Sequence, residues 1–169
     1  MPFILIFILS LYLSADGGVL KVDWSKVKIN SKMQKSLKVA KQIQKSVNGV
    51  TLPVLLPRYY LNRKGIQIVS SPNFYTATIP IDGAKLMVAG DRTYQREIKT
   101  EDKRLLKSIK SLSNKFNIDN GMVAIYFTRY GINYSLNLEC NNPKGDKRCQ
   151  SRDFLERVYR SLIIVGGRR

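Results

Sequence analysis

Histidine is absent from this chain, and with it go the commonest general base and every catalytic triad built on imidazole. Acids are scarce: 12 Asp+Glu stand against 29 Lys+Arg in 169 residues. They are scattered, without the paired spacing that would suggest the two carboxylates of a glycosidase. Only two cysteines occur, Cys140 and Cys149, and without histidine they fall short of a zinc site. No glycine-rich phosphate fingerprint is found. Serine and lysine are so common that pairs such as Lys32 with Ser36, or Lys107 with Ser108, can be chosen at will and single out no Ser–Lys catalyst. These absences predict a protein that is not an enzyme and holds neither cofactor nor metal.

What is plentiful is positive charge. The formal net charge is +17, and a field of that sign attracts polyanions: nucleic acid, anionic lipid, lipopolysaccharide or an acidic protein. Hydrophobic content of 44% is enough for a folded core, and the length suits one domain rather than two.

Phe3 to Leu13 is an almost unbroken apolar run, followed by small residues at Ser14, Ala15 and Gly17. The pattern is that of a signal peptide over residues 1–15, cleaved after Ala15 or Gly17, although no Lys or Arg precedes the run. The run is short of the roughly 20 residues that cross a bilayer. A buried first strand or helix is the alternative reading. Residues 16–169 would then be a single basic domain retaining all the side-chain charge. In an exported chain, two nearby cysteines are expected to form a disulfide, here Cys140 with Cys149.

Along the domain, Met33, Leu37, Ala40, Ile43 and Val47 recur at helical spacing from a Ser31 cap to a stop at Asn48-Gly49. The other face of that helix carries Lys32, Lys35, Lys38, Lys41 and Lys45, a surface able to lie on an anionic partner, though such faces are more often simply solvated. Pro53 and Pro57 bracket a short extended piece expected at a sheet edge. Arg58 to Gly65 interleaves Tyr59 and Tyr60 with Arg58, Arg63 and Lys64, a mixture that can stack on and pair with anionic rings. Residues 74–90 form a hairpin around Asp82-Gly83. A second helix runs from Thr100 through Leu105, Leu106, Ile109 and Leu112. Residues 122–140 form another hairpin, turning at Tyr130-Gly131. With Gly83 laid on Gly131, Thr76-Ala77-Thr78 falls on Ala124-Ile125-Tyr126, a weak sign of duplication against which chance similarity of hairpins weighs evenly. Ser151 caps a last helix with Phe154, Leu155, Val158, Tyr159 and Leu162 inward, and Ile163-Ile164-Val165 continues the apolar run to Gly166-Gly167.

The stretch from Tyr134 to Cys140, then Asp146 to Cys149, then Phe154 to Gly167 resembles uncharacterised exported proteins of Gram-negative bacteria. The resemblance covers about a quarter of the chain and implies export and a disulfide, but no activity.

The expected architecture is α+β: an antiparallel sheet of about five strands built on two hairpins, with about three helices on one face. The expected function is an exported, non-catalytic, basic domain, periplasmic or secreted, that binds anionic lipid, lipopolysaccharide or an acidic protein. Nucleic-acid binding is the second reading, and a structural subunit of an envelope assembly the third. The candidate anion-binding residues are Lys32, Lys35, Lys38, Lys41, Lys45, Arg58, Arg63 and Lys64.

Overall fold

Strict alternation of side chains along the strands lets one sheet face be apolar while the other stays polar. The computed structural model describes residues 17–28, 41–95, 116–119 and 121–169. In chain order these form β1 (Gly17–Val19), a 3-10 turn at Trp24–Lys26, α1 (Lys41–Val47), β2 (Val54–Pro57) and a 3-10 turn at Arg58–Tyr60. Then follow β3 (Gln67–Ser71), β4 (Phe74–Ile81), β5 (Ala84–Asp91), β6 (Thr93–Gln95), β7 (Phe116–Asp119), β8 (Met122–Arg129) and β9 (Ile132–Cys140). A 3-10 turn at Lys147–Cys149, α2 (Asp153–Arg160) and β10 (Leu162–Gly166) complete the order. The leader, the helix expected from Thr100 and the first part of the helix expected from Ser31 lie outside the described residues.

Six strands make one antiparallel sheet in the order β3-β4-β5-β9-β8-β7. Both expected hairpins are in it. Gly83 supplies the left-handed backbone of the first turn (φ 71°), and Tyr130 (φ 57°) with Gly131 (φ 79°) forms the second. Two successive positive φ values give the primed turn whose twist matches paired strands. Lys21 to Asp23 closes over that second turn, with Asp23 N donating to the Tyr130 carbonyl at 2.9 Å. The halves of the sheet share one pairing scheme. Phe74↔Asp91 corresponds to Met122↔Glu139, Ile81↔Ala84 to Arg129↔Ile132, and Ile68↔Ala77 to Phe116↔Ile125. Val88↔Leu136 sits at the centre, where the correspondence maps the pair onto itself.

On the inner face Tyr75, Ala77, Ile79, Leu86, Val88, Leu136 and Leu138 are each 0–1% exposed. A buried two-stranded ribbon of β2 with β10 covers them, and Ile43 and Val47 of α1 and Leu155 and Val158 of α2 join the same core. A third small ribbon pairs β1 with β6. Arg92 clips the N-terminal segment to the loop before β2: its Nε donates to the Leu20 carbonyl at 3.1 Å and its Nη1 to the Thr51 carbonyl at 3.0 Å.

Three expectations need correction. The main sheet has six strands rather than five, with further strands in ribbons; two α-helices are found among the described residues, the third expected one lying outside them. Val54 to Pro57 is an edge strand, but of a separate two-stranded ribbon rather than of the main sheet, and it is buried because Val54, Leu55 and Leu56 are apolar on both sides. Leu162 to Gly166 leaves the helix to become β10, since a β-branched run gains more by pairing with β2 than by extending a helix.

Candidate anion-binding surface

The loop between β2 and β3 carries the most concentrated pairing of exposed aromatic and basic side chains among the described residues. Pro57 is paired with Leu162 in the β2–β10 ribbon, and the very next amide, Arg58 N, donates to the Ser161 carbonyl at 3.0 Å. That bond fixes the start of the loop to the end of α2. Leu61, 2% exposed, anchors its middle in the core, and Gly65 (φ 79°) turns the chain into β3. Between these anchors Tyr59 is forced outward and is 77% exposed.

Of the residues singled out from sequence, Lys32, Lys35 and Lys38 lie outside the described residues. Lys41 and Lys45 are exposed on α1, whose Ile43 and Val47 face inward. Gln42 and Ile43, between those lysines, share a shallow cavity of about 530 Å³ with Leu61 to Ile66. The structure thus brings the end of the lysine-bearing helix and the Arg63–Lys64 loop together. Arg63 is engaged: its Nη1 lies 3.3 Å from Asp82 Oδ1. Asp82 is 93% exposed, so this solvated pair contributes about 0–1 kcal/mol and exchanges freely. Arg58 and Lys64 are exposed and form no ion pair with another described residue.

On the other side of the loop, Tyr59 and Tyr60 meet Phe154, Arg157, Val158 and Arg160 of α2 around a cavity of about 460 Å³. The positions i, i+3 and i+4 put Phe154, Arg157 and Val158 on one helix face. Val158 reaches the core while Arg157 rims the cavity in solvent. Arg157 has no ion-pair partner among the described residues, whereas Arg160 Nη2 lies 2.5 Å from Glu156 Oε1. The guanidinium of Arg148 lies over the outer ring, Phe154, 5.8 Å from its centroid. Arg157 and Arg160 were not singled out from the sequence; the signal was available for Arg157, which follows Phe154 at i+3 on one face of an amphipathic segment.

Cys140 and Cys149 form the expected disulfide, with S–S 2.04 Å and Cα atoms 6.2 Å apart. It is buried and remote from this surface in role: it ties the end of β9 to the turn leading into α2. Beside it the Arg148 guanidinium holds the Asp146 carboxyl below the usual carboxylate range. Among the described residues no group of three or more Cys, Asp or Glu could hold a metal. Near Tyr59 the chemistry on offer is therefore cationic charge, guanidinium hydrogen bonding and ring stacking. Compared with protein-family models, curated proteins and solved structures, the chain matches none.

Proposed function

We propose that this chain is an exported, basic, non-catalytic domain that binds an anionic component of the cell envelope or an acidic protein, using the surface around Arg58 to Ile66. The observation that carries the reading is that Lys64 and Arg157 line cavities on either side of the exposed tyrosine loop, with Arg58 in the loop and Lys41 and Lys45 flanking Gln42 and Ile43 in sequence, none of them ion-paired with another described residue. Export is supported by the apolar leader and by the disulfide, which persists in oxidising compartments. Among the described residues no helix is long and apolar enough to cross a membrane.

Retention on a polyanion matrix such as heparin tests the reading. The purified protein should bind at low salt and be released as ionic strength rises, because exposed charges are screened within about 8 Å at physiological salt. Passage through the column at low salt would remove the anionic-partner reading altogether. Nucleic-acid binding is the second reading, favoured by Tyr59 and Tyr60 standing among arginines. It gains if single-stranded oligonucleotides bind far more tightly than heparin at equal salt.

A further inference from the structure

We propose that the Tyr59 loop and the adjacent edge of α2 form a docking surface for an anionic phospholipid bilayer, Tyr59 lying at headgroup depth and the arginines beside it facing lipid phosphates. This rests on the anionic-partner reading above and names the partner within it.

The argument begins with Tyr59. A phenol has an apolar ring and a polar tip, and such side chains settle where one end is dry and the other wet. Tyr59 is 77% exposed, so it finds no such boundary within its own fold. Its backbone, in contrast, is pinned: the Arg58 amide is bonded to Ser161, and Leu61 is buried two residues later. A ring held up on a fixed turn loses little conformational freedom on entering an interface.

The neighbours supply the second condition. Arg157 and Arg160 line the same cavity as the ring, Arg58 precedes it in the loop and Lys64 follows five positions on, and Glu156, already paired with Arg160, is the one acid of α2 bonded to them. Long basic side chains can keep their stems on the apolar floor of Tyr60, Phe154 and Val158 while their charged heads reach lipid phosphates. Ring and cations point the same way by charge complementarity: the surface suits a negatively charged sheet with an apolar interior. Tyr59 is 77% exposed, so a bilayer can cover the ring together with the 460 Å³ cavity that it lines.

Co-sedimentation with vesicles of phosphatidylcholine, with and without phosphatidylglycerol, tests the proposal on the full protein. The wild type should pellet with the phosphatidylglycerol vesicles alone. Tyr59→Ala should weaken binding roughly three- to tenfold, in line with partial loss of one buried aromatic ring. Arg157→Glu should weaken it about thirtyfold, from two charges at about fivefold each. Lys85→Glu makes the same change in net charge on the sheet face turned away from the core, and should leave binding nearly unchanged. All three sites are exposed, and unaltered circular dichroism checks that each variant folds. Equal losses in Arg157→Glu and Lys85→Glu would overturn the proposal in favour of diffuse attraction. Retention on heparin without vesicle binding would overturn it while leaving the anionic-partner reading intact. Failure on both would end both.

Discussion

Tyr75 and Tyr134 reach from the sheet to the strand that covers it. The Tyr75 hydroxyl donates to the Leu55 carbonyl at 3.0 Å and accepts from the Leu55 amide at 2.9 Å; the Tyr134 hydroxyl donates to the Pro53 carbonyl at 2.8 Å. Gly90 pairs with both tyrosines, one on each neighbouring strand. A Cβ there would lie 2.6 Å from the Tyr75 ring and 2.8 Å from the Tyr134 ring, so glycine is required for close approach. Burial pushes both phenols above their ordinary value of 10.0. A raised folded pKa means the folded state holds its proton longer than the unfolded one. The stability these groups contribute is therefore complete below about pH 10 and is lost as pH rises beyond it. Following tyrosinate absorbance and circular dichroism together through alkaline pH should show these two phenols ionising only in the step that unfolds the protein. Ionisation of every tyrosine before any loss of dichroism would contradict this account. None of it was visible in the sequence, where Tyr134 falls among the apolar positions of an alternating strand and Tyr75 is one residue of a hairpin arm.

The elements differ in how openly the sequence announced them. β9 was the clearest, with Ile132, Tyr134, Leu136, Leu138 and Cys140 buried and Asn133 and Glu139 exposed, as a period of two requires. Asp82-Gly83 and Tyr130-Gly131 declared their turns because glycine there meets a positive φ. β2 and β10 were illegible as partners: each is apolar throughout, periodicity cannot assign a face to such runs, and more than a hundred positions separate them. The disulfide was legible, but what it supports was not. Asn141 N donates to the Gly83 carbonyl at 2.9 Å and Arg148 Nη2 to the Asp82 carbonyl at 2.6 Å, so the clamped loop braces the turn of the other hairpin. Replacing both cysteines by serine should lower stability by about 2–3 kcal/mol on the chain-entropy view of a short loop. A denaturant titration would register this as an earlier midpoint with the sheet's circular dichroism retained before the transition. An unchanged midpoint would show that the bonds to Asp82 and Gly83 hold the loop unaided.

At the scale of the whole molecule two properties stand out, a shared pairing scheme and an unbalanced charge. That β3-β4-β5 and β7-β8-β9 pair in the same register is a geometric condition an internal duplication has to meet, and the alignment of Gly83 on Gly131 is the part of that shared register the sequence displayed. The charge was legible from composition, but where it would gather was not: Arg58 to Lys64 and Arg157 to Arg160 meet only because the β2–β10 ribbon brings the two segments side by side. With a net charge of +17, the folded state suffers self-repulsion that expansion would relieve. The ion pairs seen among the described residues, Lys26–Asp23, Arg63–Asp82, Arg148–Asp146 and Arg160–Glu156, mostly involve solvent-exposed groups and offset little of it. Repulsion should outweigh these attractions, so screening should help the fold more than it harms it. Thermal unfolding followed at increasing sodium chloride should then show the midpoint rising until the Debye length drops below the spacing of neighbouring cations, about 8 Å near physiological ionic strength. A midpoint that falls with salt would mean that the few ion pairs dominate after all. A rise carries a consequence for function: an anionic partner that neutralises the Arg58–Arg157 surface relieves the same repulsion that salt does. Binding and stability should therefore be linked, with the gain from a bound polyanion shrinking as salt is added.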